Sequence, residues 1–222
     1  NPISSEMTHM RPSLLPGLLQ AAQRNQARSL NDLKLFELGE VFFGRNPGEQ
    51  AIHAGGIFVG NYLPKNTFDN QREVDVFDAK KVVESTLNDM GVSVENLSIL
   101  RDGVPAYFHP KRAGKVSLGP KNALAFFGEL HPKIVKAYDL KGPVVAFEIF
   151  IERVPFSKNR KLIRPPIKVS ELQPVERDFS FVVETRCEVD LIKKAILNGE
   201  KGVINEARVF DIFEGKEAEQ QL

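Results

Sequence analysis

A leucine-faced helix that runs almost directly into an aromatic-rich strand constrains this chain more than any other feature. Between Pro12 and Arg28, the residues Leu14, Leu15, Leu18, Leu19 and Ala22 recur at helical spacing. Arg24 and Arg28 fall toward the end of the run, where positive charge suits the helix dipole. After a polar turn at Asn31 and Asp32, the segment LKLFELGEVFF is dense in aliphatic and aromatic residues and too short for a second long helix. It predicts a buried strand, bent at Gly39.

The rest of the chain continues in strands with few helices. AIHAGGIFVGNY at 51–62 predicts a strand whose central glycines admit close backbone approach. No GKS, GKT or GxGxxG pattern accompanies Gly55 and Gly56, so a phosphate loop is not expected there. Residues 75–90 predict a helix with Phe77, Val82, Val83, Thr86, Leu87 and Met90 on one face, Asp75 near its start and Gly91 just past its end. Short strands follow at 97–100, 115–119, 123–130 and 143–151, and Pro132 opens a short helix ending near Lys141 and Gly142. The order predicts an α+β fold: an antiparallel sheet carrying helices on one face.

Several kinds of chemistry fail on spacing. His9, His53, His109 and His131 are scattered singly without HxxH, HExxH or a cysteine partner, so no metal site is expected and each predicts a capping or hydrogen-bonded histidine. The lone cysteine, Cys187, sits beside Glu188 and Asp190, a setting that disfavours a reactive thiolate. Asp75 and Asp78 lie at a helix start, where capping accounts for them. No catalytic residue is assigned. Hydrophobic residues make up 42% and charged residues 27%, and no apolar run approaches the roughly 18 residues of a membrane span. A soluble, cytoplasmic protein of two domains is therefore expected, without signal peptide, and the missing initial methionine suggests a fragment.

The strand FELGEVFFGRN resembles the motif 2 strand of class II aminoacyl-tRNA synthetases, similar to "FEIGxVFRxE", whose arginine grips the ATP α-phosphate. Aligned on Glu37, Gly39 and Phe42, the arginine position is Phe43 and the following acidic position is Arg45. An aromatic ring offers no bidentate, charge-assisted hydrogen bond to a phosphoryl oxygen, and Phe43 is expected in the core. FFGELHPKIVKAYDL at 126–140 stands nearest to motif 3, and it carries no arginine. Four ordered stretches narrow the resemblance: NPISSEMTHMRPSLLPGLL, YFHPKRAGKV, FFGELHPKIVKAYDL with its following FEI strand, and PVERDFSFVVE. Together they are similar to the C-terminal part of the bacterial phenylalanine–tRNA ligase beta subunit family.

That resemblance implies three parts: a class II synthetase-like non-catalytic core at 1–155, a basic linker at 156–170, and the first half of a ferredoxin-like anticodon-binding domain at 171–222. Within the last part, DFSFVVE, EVDLIKKAILNG and VINEARVFDIFEG predict β-α-β. The family's entry to this domain is similar to "SKFPAVRRDLAL"; here Arg177 and Asp178 match while Glu176 replaces an arginine. The second half of the domain would lie beyond these residues, leaving an unpaired edge and an uncovered apolar face that predict poor order or pairing with a neighbouring molecule after about residue 170. Residues 153–170 hold Arg153, Lys158, Arg160, Lys161, Arg164 and Lys168 with no acid. Their charge suits RNA phosphates, an acidic surface of a partner, or plain solvent, and all three remain open. Arg160, Lys161, Arg164 and Arg177 are the candidate RNA contacts.

For the assembled enzyme the resemblance implies attachment of phenylalanine to its tRNA, driven by ATP with Mg²⁺, in an α₂β₂ heterotetramer with a catalytic alpha subunit. Neither ATP nor Mg²⁺ has a recognisable site in this chain. The leucine-faced helix would help form the interface with the alpha subunit. A second reading is an independent RNA-binding or protein-interaction module of the same fold.

Overall fold

Leu15, Leu18, Leu19 and Ala22, spaced three and four apart, become the buried stripe of helix α1 (Leu15–Gln26). Pro16 sits in its first turn, where a missing N–H costs nothing, and Ser13 Oγ accepts from the Leu15 N–H at 3.2 Å. The computed structural model describes residues 9–63, 67, 71–155, 173–184, 187–200 and 202–213. The chain divides into two compact units, Asn1–Lys158 and Asn159–Leu222.

The first unit is built on a six-stranded antiparallel sheet in the order β1-β2-β6-β5-β4-β3. Its strands are β1 (Leu33–Phe42), β2 (Gln50–Val59), β3 (Leu97–Leu100), β4 (Phe108–Leu118), β5 (Ala123–Leu130) and β6 (Val144–Phe150). Every residue of β6 is buried, because it lies between β2 and β5 with a helix layer above and below. Alternation splits its side chains. Val144 and Ala146 join α1 and Phe108 in one cluster, while Val145, Phe147 and Ile149 pack with helix α2 (Val76–Asp89) in another. Helices therefore cover both faces rather than the single face expected. The short helix α3 (Pro132–Ala137) joins the α1 side through Ile134 and Val135, and it stops before the expected Lys141.

Two glycines mark where backbones crowd. Gly56 stands opposite Phe147 across the β2–β6 ladder, and a Cβ there would lie 2.4 Å from the Phe147 ring and 3.1 Å from the Leu35 carbonyl oxygen. Gly128 plays the same part against β4, where an added Cβ would lie 2.4 Å from Ala113 Cβ beside a bulge.

Helix α2 starts with a capping box. Asp75 accepts from the Phe77 and Asp78 N–H groups, and Asp78 returns the bond to the Asp75 N–H at 2.9 Å. Ala79, Val83 and Leu87 form its buried stripe. Phe77, expected on that stripe, is 68% exposed. It sits in the first turn, on the side turned away from the sheet by the same periodicity that buries Ala79 and Val83.

Strand β1 also departs from expectation. It is an edge strand, so only its α1 side is covered, and Phe36 (82%) and Leu38 (64%) stand exposed on the other. Phe43, expected in the core, is 61% exposed just past the strand's end. The leucine face of α1 is spent on its own sheet, so it does not form a free helical surface.

In the second unit, helix α4 (Val189–Gly199) forms as predicted, with Lys194 and Asp190 paired at 2.9 Å on its surface. The two flanking strands do not. Residues 173–184 and 203–213 belong to no ladder, and α4 buries no residue. In a split β-α-β arrangement the two strands flank a third instead of each other, and among the described residues these two do not pair. The strand-like alternation survives locally: Phe179 and Phe181 point the same way and stack at 6.4 Å.

Candidate functional site

Just past the end of strand β1 stands Phe43, the position aligned with a phosphate-gripping arginine. Its N–H donates to the Glu49 carbonyl at 2.8 Å across the turn. Across the ladder, register sets His53 opposite Gly39 on one side and Phe150 on the other. His53 is 5% exposed, and its ring lies 5.8 Å from Phe43 and 4.8 Å from Phe150, with Phe126 edge-on to Phe150 at 5.2 Å.

Within this aromatic box a polar network is closed on itself. His53 Nδ1 lies 2.9 Å from Glu148 Oε1, and the Tyr107 hydroxyl donates to Glu148 Oε2 at 3.4 Å. Glu148, from the middle of β6, is 3% exposed. A buried carboxylate needs both oxygens satisfied, and the histidine and tyrosine divide that task. Burial first, and then the neighbouring Glu148, push the Tyr107 hydroxyl well above the ordinary tyrosine range, so it stays a donor. The network ties strands β2 and β6 to the residue that enters β4.

A nucleotide with its metal does not fit these residues. The phosphate position is an aromatic ring packed on His53. Arg11, which reaches over Gly39 on this strand, is committed: its guanidinium pairs with Glu37 and its Nε donates to the Glu40 carbonyl at 2.8 Å. Among the described residues, no three His, Cys, Asp or Glu side chains come together as a metal site.

The other polar clusters are structural. Arg72 grips Asp78 with two hydrogen bonds, at 2.8 and 2.6 Å, and lies 4.2 Å over the Tyr62 ring. Burial alone would raise the Asp78 carboxyl, but the bonds from Arg72 and the Asp75 N–H outweigh it and hold it below the usual range. His131 caps α3 by accepting from the Lys133 N–H, and His109 accepts from the Lys111 N–H, as expected of isolated histidines. A hollow of about 320 Å³ between the end of α1 and the start of β6 is lined by groups already bonded to each other. There Gln26 exchanges two hydrogen bonds with the Lys141 backbone, and Asn61 donates twice to Asp32.

Of the sequence-predicted RNA contacts, Arg177 alone lies among the described residues. Arg177 is exposed in an extended stretch and donates to the carbonyl of its neighbour Glu176 at 3.1 Å. Arg160, Lys161 and Arg164 lie outside the described residues. The His53–Glu148–Tyr107 network was missed from sequence, and its only signal was a single carboxylate inside the apolar run VVAFEIF.

Comparison with known proteins sets these features in a lineage. The family model described as "Phenylalanyl tRNA synthetase beta chain CLM domain" matches residues 1–151, and "Ferredoxin-fold anticodon binding domain" matches residues 170–222. The phenylalanine–tRNA ligase beta subunit of Cereibacter sphaeroides is 50% identical over all of this chain, and that of Ruegeria pomeroyi 48% identical over 97% of it. The chain spans 27% of the length of each of these curated relatives. A pyrrolysyl-tRNA synthetase structure from Desulfitobacterium hafniense shares 15% identity over 65% of this chain and 48% of its own, with a TM-score of 0.48, a likeness too slight to argue from. No helix among the described residues is long and apolar enough to cross a membrane.

Proposed function

The chain belongs to the phenylalanyl-tRNA synthetase beta chain family, and from that premise we propose that it is the non-catalytic core and anticodon-domain portion of a phenylalanine–tRNA ligase beta subunit. In this reading it supports a catalytic alpha subunit that attaches phenylalanine to its tRNA with ATP and Mg²⁺. The enzyme is a heterotetramer of two alpha and two beta subunits, in the cytoplasm. The observation that carries the reading is the succession on one chain of a beta-chain core match and an anticodon-binding match. The aromatic box in place of a phosphate grip supports the non-catalytic half of the proposal. The independent RNA-binding module is not favoured, because the relatives that match along the full chain are ligase subunits.

Within this proposal the core runs over residues 1–155, the basic linker over 156–170, and the anticodon-binding part from 171 onward. Arg160, Lys161, Arg164 and Arg177 serve as phosphate contacts, a role their charge supports. Size-exclusion chromatography of the chain with a catalytic alpha subunit tests the assembly. Co-elution is expected, with no aminoacylation or ATP turnover by the chain alone. Failure to associate, with salt-sensitive tRNA binding retained, would return the independent module. For the linker, replacing Arg160, Lys161 and Arg164 together by Ala is expected to weaken tRNA binding and flatten its salt dependence.

A further inference from the structure

Positive charge is unevenly spread over the core unit. Residues 13–31, which hold α1 and its exit, contain Arg24 and Arg28 and no acid; residues 131–143, which hold α3, contain Lys133, Lys136 and Lys141 against Asp139 alone. The whole chain carries 30 cations against 29 acids, so this imbalance is local. The fold joins the two stretches. Both helices bury their apolar sides in one cluster, and Gln26 at the end of α1 exchanges hydrogen bonds of 2.9 Å with the Lys141 backbone in both directions.

All five cations are exposed, and none makes an ion pair with a described residue. Elsewhere in the unit Arg11, Arg72, Lys80, Arg112 and Lys115 are each matched to a carboxylate and Lys34 and Arg153 lie over aromatic rings, while Arg45, Lys81, Arg101, Lys111 and Lys121 make no ion pair with a described residue either; the α1–α3 surface is set apart by the near-absence of acids along both its stretches. Helix dipoles account for Arg24 and Lys136, both in last turns. They do not account for Lys133, which occupies the first turn of α3 where a cation is disfavoured. Asp139, the single acid, ends α3 in a left-handed conformation at φ 49°, a backbone duty common for Asp. Asp32 and Glu73 bound the surface on the β2 side, in the hollow beside Lys141.

We infer that the α1–α3 surface is a phosphate-backbone docking site for RNA within the core unit, separate from the linker and the anticodon-binding part. Arg24 in the last turn of α1 and Arg28 in the turn that follows the helix, and Lys133 and Lys136 three residues apart on α3, present cations in pairs, an arrangement suited to consecutive phosphates along a strand. The inference rests on the proposed function only in expecting an RNA partner.

The test is fluorescence anisotropy of the 222-residue chain with a labelled tRNA transcript over a range of salt. The variants R24Q/R28Q and K133Q/K136Q are compared with K81Q/K121Q, which removes exposed cations elsewhere, and circular dichroism checks that each stays folded. Each patch variant is expected to weaken binding about fivefold and to lower the log–log salt slope by about 1–2, as loss of one or two phosphate contacts requires. Unchanged affinity and slope in both patch variants overturns the inference, as does an equal loss in K81Q/K121Q. Tighter binding to polyglutamate than to tRNA would replace RNA with an acidic polypeptide. Co-elution of the patch variants with the alpha subunit separates this result from the subunit assignment, which stands or falls on that association.

Discussion

Glu148 shows how one residue can decide what a sheet is able to do. In the middle of a fully buried strand it is tolerated only because His53 and Tyr107 satisfy its two oxygens. Glu148→Ala is expected to destabilise the core unit by about 3–5 kcal/mol in urea unfolding, since it strands a buried histidine and a tyrosine hydroxyl. Asp78 makes a second, pH-dependent contribution. Its carboxyl is held below the usual range in the folded state, so the stability it supplies is complete above the unfolded value of about 4 and fades as pH falls below it. Asp78→Asn should therefore lose less stability between pH 5 and pH 3 than the unsubstituted chain. The capping pair was legible in the sequence because capping is local. The Glu148 network was not, because its partners lie 95 and 41 residues away and only register unites them.

At the level of elements, helices were easier to foresee than the exposure of strands. α1, α2 and α4 follow from periodicity and end signals within a residue or two at most boundaries. Burial of β1 was misjudged because an aromatic-rich run looks alike at the centre of a sheet and at its rim. The Phe42 N–H donates to the Arg11 carbonyl, away from β2, so alternation also turns the main-chain groups of Phe36 and Leu38 outward. With exposed Phe36 and Leu38 side chains, that rim is a template for strand addition. Replacing both by Lys is expected to leave unfolding free energy within about 0.5 kcal/mol while reducing self-association in sedimentation velocity. The flanking strands of the second unit could be predicted as patterns but not as ladders, since pairing depends on a neighbour that a linear pattern does not reveal.

On the scale of the whole molecule, the two units differ in how their backbones are satisfied. β6 exchanges hydrogen bonds on both sides, whereas residues 173–184 and 203–213 have no ladder partner among the described residues. Hydrogen exchange is expected to reflect this, with slow exchange at Val145–Ile149 and near-random-coil rates at Phe179–Val183. The division into a beta-chain core and an anticodon-domain part was legible from four ordered sequence blocks, whose local signatures persist without any knowledge of long-range contacts.

The sheet order also sets a timetable. β2 and β6 are neighbours, with His53 opposite Phe150 and Val59 opposite Val144, although some 85 residues of chain separate even the closer pair. A ribosome adding about 5–20 residues per second needs roughly 4–17 seconds to span that gap. During the interval the leucines of α1 can reach β1 and β2 but not Val144 or Ala146, so half of their eventual cover does not yet exist. The nascent core thus passes through a stage with a greasy, open-sided α1–β1–β2 layer, the kind of surface that chaperones at the tunnel exit hold until the missing strand arrives.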